Sequence, residues 1–275
     1  RMSPRTIHIR SADNHFQHVE VLKRNRTKRH QYGEFFVEGV IPLSQAVAYG
    51  WPIRFLVYTD GVRLSQWAQE MLETARAETH LALAPELMDQ LSDKEDPSEL
   101  LAVCAMPPDD PDRIAAGDDL LVVVFDRPSN YGNLGTVIRS CDAFGAGGLI
   151  VSGHAVDLYD TRTIRASVGS IFALPAIRLP SHNELIPWVA ALRERIDGLQ
   201  IVGTSAHAAQ RVTTAHFTRP TILAIGNETR GLSRSYKDLC DHMVHIPMQG
   251  AASSLNVACA TSVLLYEIDR QRRLP

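Results

Sequence analysis

Residues 246–274 read IPMQGAASSLNVACATSVLLYEIDRQRRL, a polar loop joined directly to a helix. Pro247 and Gly250 break regular structure, Ser253 and Ser254 favour helix caps, and Leu255, Val257, Ala258, Val263, Leu264 and Ile268 repeat at roughly helical spacing. The pattern predicts a helix starting at the Ser-Ser pair, with Asn256 in its first turn. Free backbone N–H groups and the positive end of the helix dipole favour a polar or anionic ligand there. Read alone, the same residues serve equally as an ordinary cap.

Two further asparagine-bearing junctions follow short apolar strands: FDRPSNYGNLGTVIRSCDAFGAGGLIV at residues 125–151 and ILAIGNETRGLS at residues 222–233. The run LLVVVF at residues 120–125 is uninterrupted, as a central parallel strand covered on both faces requires. Strands are predicted at 149–151, 200–203, 222–225 and 243–246, and helices at 133–144, 161–168, 185–195 and 232–239. Together they make an α/β fold, an open, mostly parallel sheet with helices on both faces. Ligands of such sheets lie beyond the carboxyl ends of the strands, where all three polar junctions converge. No G-x-G-x-x-G follows the first strand, which disfavours a dinucleotide cofactor.

The N-terminal half alternates differently. Helices are predicted at 14–22, 42–49, 64–76 and 85–91, and strands at 34–38, 53–58, 80–84 and 101–105, a second small α/β domain. MPPDDPDRIAAGDD at 106–119 carries no apolar period and reads as a linker. The expected organisation is a basic arm at 1–13, a small domain at 14–106, a linker at 107–118 and a larger domain at 119–275. A length of 275 residues, 45% hydrophobic and 21% charged, suits two soluble domains.

No run approaches the roughly 20 apolar residues that span a bilayer, and the N-terminus lacks the apolar core of a signal peptide; a cytoplasmic location is expected. Cys104, Cys141, Cys240 and Cys259 lie far apart, and His242 and His245 should point to opposite faces of a strand, so no metal site is expected. The formal net charge is −3, yet Arg1, Arg5, Arg10, Lys23, Arg24, Arg26, Lys28 and Arg29 face only Asp13 and Glu20 within the first thirty residues. Such asymmetry suits a basic segment gripping a polyanion, or a solvated leader.

The three junctions, in order and spacing, resemble the signature motifs of the SpoU (TrmH-like) RNA 2′-O-ribose methyltransferases of the SPOUT superfamily. The basic stretch leading into YGEFFVEG is similar, more loosely, to the L30e-like substrate-binding domain that often precedes them. Within the family, GEFFVEGVIPLSQAVAYGWPIRFLVY and the first two junctions are similar to the ribosomal-RNA methyltransferases of avilamycin resistance. The resemblance implies S-adenosylmethionine as methyl donor, no metal, a C-terminal trefoil knot, a homodimer, and RNA as partner, ribosomal 23S rRNA ahead of transfer RNA. It implies a catalytic set of Asn133, Arg139, Glu228, Ser254 and Asn256, and a donor site at Thr204, Ser205, Gly226, Asn227, Ile246, Met248 and Leu255. RNA contacts are expected from Arg165 and from Arg24, Arg26, Lys28 and Arg29. An arginine is a poor base, so Arg139 is expected to position and stabilise charge, with Glu228 orienting it or its neighbours. A non-catalytic RNA-binding or ribosome-assembly protein, or a nucleobase methyltransferase of the wider superfamily, stays open as an alternative.

Overall fold

The structure, a computed structural model, describes residues 4–92 and 97–273; Arg1 of the expected arm and Leu274 of the last stretch lie outside them. The chain divides into two units, one of residues up to Pro107 with Tyr159–Ala173, the other of Pro108–Leu158 with the residues from Leu174 onward.

In the first unit, apolar runs form strands β1 (Arg5–Ile9), β2 (Glu34–Glu38), β3 (Ile53–Thr59), β4 (Ala77–Leu83) and β5 (Leu100–Ala105). They make one sheet in the order β1-β4-β3-β5-β2, parallel except for β5, which runs against β2 and β3. Within the basic arm expected at 1–13, Arg5–Ile9 is an edge strand paired with β4 from Arg5–Thr79 to Ile9–Leu83. An edge strand of five residues, mostly exposed, carries too little apolar pattern to announce itself.

Helices α1 (Asn14–Arg24), α2 (Arg26–Tyr32), α3 (Val40–Ala48), α4 (Gln66–Thr74) and α5 (Pro85–Leu91) complete this unit's first stretch. Asp13 starts α1 by accepting the Phe16 N–H at 2.9 Å, and Phe16, Val19 and Leu22 then bury on one face. The basic segment, to which the sequence pattern assigns no element, runs from the end of α1 through the helix α2. Asn25 caps it through the Lys28 N–H at 3.0 Å, and Gly33, at φ +63°, ends it.

Two of its cations are spent internally. Arg29 is 2% exposed and donates to the carbonyls of Leu22 and Lys23 at 2.9 and 3.1 Å, while Lys23 Nζ reaches the Leu91 carbonyl at 2.5 Å. The RNA contact expected of Arg29 is therefore corrected to a structural role. Charge spacing cannot reveal which cations of a basic run turn inward.

The second unit opens with β6 (Leu121–Asp126), buried at every residue, then α6 (Tyr131–Ala143) and β7 (Gly148–Ser152). Helix α7 (Thr161–Ser167) follows in sequence but packs in the first unit. Tyr159 and Phe172, which flank it, lie against Phe35 and Trp51 with ring centroids 4.7 and 5.0 Å apart, whereas the sequence reading keeps this segment within 119–275. The second unit continues with β8 (Ala176–Leu179), α8 (His182–Arg193), β9 (Gln200–Thr204), β10 (Gln210–Arg211), β11 (Thr221–Ile225), α9 (Arg234–Leu239), β12 (His242–His245) and α10 (Val257–Arg273). Its sheet is parallel throughout, in the order β10-β12-β9-β11-β6-β7-β8. The chain leaves β6 toward β7 and β8, then returns to β9 beyond β11, so the order reverses between β6 and β11. A crevice opens at such a switch point.

Helix α10 begins later than expected. Residues up to Asn256 stay non-helical, and Asn256 Oδ1 accepts the Ala258 and Cys259 N–H groups at 2.8 and 3.3 Å, so Asn256 is the cap rather than a first-turn residue. Similarly Asn130, not Asn133, caps α6, with Asn130 Oδ1 on the Asn133 N–H at 2.9 Å. Serine and asparagine are comparable caps, so composition could not choose between neighbours.

α10 packs on α6, where Ser140 Oγ and Ser262 Oγ meet at 2.7 Å. Near its end Arg272 donates to four carbonyls: Asp119 at 2.6 Å, Phe217 at 2.8 Å, and Leu120 and Arg219 at 3.0 Å each. These carbonyls lie just before β6 and β11, so one guanidinium ties the last helix to the entry of two central strands. Arg272→Ala is expected to destabilise the second unit by about 2–3 kcal/mol, since it leaves several carbonyls without a donor. Urea unfolding checks this, and a loss below about 0.5 kcal/mol would contradict the role.

Candidate active site

The site is assembled from loops at the carboxyl ends of the central strands. β6 ends on Asp126, 2% exposed, whose carboxylate takes the Arg127 guanidinium at 2.9 and 3.1 Å and the Ser233 N–H at 2.8 Å. Arg127 holds φ +52°, a conformation that L side chains rarely adopt, and its carbonyl accepts Asn227 Nδ2 at 2.7 Å. The loop after β6 is thus stitched to the loop after β11.

Within that second loop, Asn227 Oδ1 accepts the Thr229 and Arg230 N–H groups at 3.0 Å each, and its backbone pairs with Gly231. Gly226 has no alternative: a Cβ there would lie 2.1 Å from the Leu232 nitrogen. The turn closes directly over the end of β11.

Glu228 is the hub. Its Oε2 accepts the Ser129 N–H at 2.9 Å and Ser129 Oγ at 2.7 Å, and its Oε1 accepts the Asn130 N–H at 3.1 Å and Asn133 Nδ2 at 3.4 Å. Asn256 Nδ2 in turn donates to Asn133 Oδ1 at 3.1 Å. All three predicted junctions therefore meet in one chain of hydrogen bonds. Burial pushes the Glu228 carboxyl up, but the bonds from Ser129, its own backbone and Asn133 outweigh that and hold it below the ordinary carboxylate value.

Beside this chain lies a cavity of about 390 Å³ at the ends of β9, β11 and β12. Thr204, Ser205, Gly226, Asn227, Ile246, Met248 and Leu255 all line it, and so do Glu228 and Ser254. Asn133 and Asn256 are not in its wall; they brace the loops that are. Arg139 is exposed on α6, and no hydrogen bond or ion pair engages it among the described residues. Of the partners expected of Glu228, Arg139 or its neighbours, Arg139 is not bonded to it among the described residues; Glu228 holds Asn133, on the same helix, and the Ser129–Asn130 turn.

Sequence reasoning missed Leu232, Val244, Arg230, Lys237, His207 and His245 of the wall. Arg230 and Leu232 could have been found by their place in IGNETRGLS; Val244, Lys237, His207 and His245 lie outside the quoted motifs. His245 Nδ1 is buried without a partner among the described residues. No group of three or more His, Cys, Asp or Glu among those residues could hold a metal ion. Cys104 and Cys141 are buried and Cys259 is exposed.

The cations expected to meet RNA all lie in the first unit. Arg24 and Arg26 are exposed, Arg24 beside Glu20 at 3.7 Å, and Lys28 stands 5.7 Å from the Tyr32 ring centroid. Arg165 is exposed on α7 and lines a second cavity.

Residues 120–266 match the SpoU rRNA methylase family, and residues 13–102 match the SpoU L30e-like domain. The chain is 50% identical, over 98% of its length and 94% of the relative's, to a 23S rRNA (uridine(2479)-2′-O)-methyltransferase of Streptomyces viridochromogenes. It is 26% identical, over 94% of its length and 98% of the relative's, to the 23S rRNA (guanosine(2553)-2′-O)-methyltransferase RlmP of Bacillus subtilis. Its fold superposes on the crystal structure of the SpoU methyltransferase AviRb from Streptomyces viridochromogenes in complex with AdoMet, with TM-score 0.91 and 50% identity, covering 95% of this chain and 98% of that one.

The lowered pKa of Glu228 fixes the sign of a pH effect. Stability gained from a depressed carboxyl is present above its ordinary value and is lost as pH falls through the folded value. Glu228→Gln is expected to lower the melting temperature at neutral pH, and the gap to the parent should narrow as pH drops below about 4. Thermal unfolding across pH measures it; a gap independent of pH would contradict the anchoring role of the charge.

Proposed function

The chain belongs to the SpoU rRNA methylase family, and on that footing we propose that it transfers a methyl group from S-adenosylmethionine to a ribose 2′-hydroxyl of structured RNA, 23S ribosomal RNA being the favoured substrate. The observation that carries this reading is the hydrogen-bonded run Asn256–Asn133–Glu228 beside a cavity walled by the ends of three strands. The cavity fits the donor. Its size falls in the range of small-molecule sites, about 300–1,000 Å³, and it joins the hydroxyls of Thr204 and Ser205 to apolar Leu232, Val244 and Leu255. Thr204, Ser205, Gly226, Asn227, Ile246, Met248 and Leu255 would hold it, with Ser254 at the same wall. When bound, S-adenosylmethionine supplies an electrophilic methyl group on a sulfonium sulfur.

The chain's own residues divide the remaining work. Four donors and a lowered pKa make Glu228 an anchor, poorly suited to accept the hydroxyl proton. Asn133 and Asn256 hold the loops in register, so the reacting groups meet in line. Arg139, an exposed guanidinium with no partner among the described residues, is free to take the phosphate beside the target ribose and to offset charge developing on the 2′-oxygen. Arg24, Arg26, Lys28 and Arg165 add phosphate contacts in the first unit.

Val263 and Tyr266 are 43% and 58% exposed on α10, an apolar stripe that supports an isologous homodimer, and a knotted C-terminal segment belongs to the same reading. The proposed RNA substrate supports a cytoplasmic location. No described helix is long and apolar enough to cross a membrane.

Incubation with labelled donor and separated 23S ribosomal and transfer RNA, then digestion to nucleosides, tests the activity. A 2′-O-methylated nucleoside from ribosomal RNA is expected; a methyl on a base, or donor binding with no transfer to any RNA, would sink it. Arg139→Lys keeps the charge but not the planar fork, and should cost at least about tenfold in kcat while donor affinity stays unchanged. Near-parental turnover would show that the fork is not used.

A further inference from the structure

The first unit holds a cavity of about 320 Å³, bounded by the end of β2, the start of α3 and α7. Phe36, Ile41, Pro42 and Ile164 give it apolar walls, and it contains two charged groups, Glu38 and Arg165. Glu38 Oε1 accepts the Ser92 and Ser98 hydroxyls at 2.7 and 2.8 Å, whereas its Oε2 is buried with no partner among the described residues. A buried carboxylate oxygen without a donor is costly, and it marks a place where a donor belongs. The Arg165 guanidinium is exposed and makes no hydrogen bond or ion pair among the described residues.

Two backbone features accompany these groups. Helix α3 follows Gly39, φ +107°, and no side chain caps its first turn. Val168, at the cavity edge, is a β-branched residue held at φ +49°, the kind of strain that collects at binding sites. Val40 and Ile41 are also 55% and 52% exposed, an unusual place to leave two aliphatic side chains side by side.

We propose that this cavity receives one unpaired nucleobase of the RNA substrate, its N–H edge donating to Glu38 Oε2 and its phosphate held by Arg165. The inference rests on the RNA reading above and deepens it: substrate is recognised at a pocket in the first unit as well as at the methyl-transfer site. A nucleotide matches the mixture of groups, because it is flat and apolar on its faces, a donor at its edge and anionic at its backbone. A free anion would be repelled by Glu38, and a cationic peptide by Arg165. Single-stranded RNA offers splayed bases of this kind, whereas a paired helix does not.

The test measures affinity of the full chain for protein-free 23S ribosomal RNA by filter binding without donor, and maps ultraviolet crosslinks by mass spectrometry. Glu38→Gln removes the charge while its amide can still take the serine hydroxyls, and Ile41→Trp, at an exposed position, blocks the mouth without touching the core. Each is expected to weaken RNA binding about tenfold and to abolish a nucleotide crosslink within residues 36–42, while affinity for S-adenosylmethionine stays within about twofold. RNA affinity within about twofold of the parent in both variants, or no crosslink in the parent, would overturn the proposal. So would a loss seen only with assembled ribosomal subunits, which would assign the cavity to a protein partner. Methylation assayed on the same samples scores the methyltransferase reading separately, so either can fail while the other stands.

Discussion

One carboxylate holds the site together. Glu228 is carried on the loop after β11, yet all four of its hydrogen bonds reach into the segment after β6, two to backbone amides and two to side chains. Through Asn133 the constraint passes to Asn256, the residue that caps the last helix. Three pieces of chain far apart in sequence are thereby fixed by charge-assisted and amide bonds in a half-buried setting, where such bonds outlast exposed ion pairs. The cavity proposed for the donor lies beside them.

That arrangement explains features that look costly by themselves. Arg127 tolerates a left-handed backbone because its side chain is locked on Asp126 and its carbonyl on Asn227, so the surrounding bonds over-determine it. Gly226 gives up a side chain so that the Leu232 backbone can lie against the end of β11. Both features sit beside the cavity, the Arg127 contacts drawing the β6 and β11 loops toward each other and Gly226 closing the β11 loop on itself. The Arg139 guanidinium, by contrast, is exposed and carries no such structural duty among the described residues.

Much of the fold was legible because its drivers are local. LLVVVF announced a central strand, the Pro- and Asp-rich stretch at 106–119 falls where the first unit gives way to the second, and alternating periods gave the order of most elements. The resemblance of three motifs brought Asn133, Glu228 and Asn256 to one place, which propensity never could. What escaped were facts settled by partners distant in sequence. Arg29 reads as a surface cation until its contacts with the Leu22 and Lys23 carbonyls are seen, β1 has no pattern without β4, and the segment of α7 joins the first unit through Phe35 and Trp51. The caps slipped by a few residues because adjacent asparagines and serines compete on nearly equal terms.

The loops are coupled through Asn133 and Asn256, and a double-mutant cycle on S-adenosylmethionine affinity reads that coupling directly. Asn133→Ala and Asn256→Ala, alone and together, should show a coupling of about 0.5–3 kcal/mol, the double variant binding little worse than the poorer single one. Strictly additive losses would mean that the two asparagines act independently, and that the donor cavity does not depend on their contact.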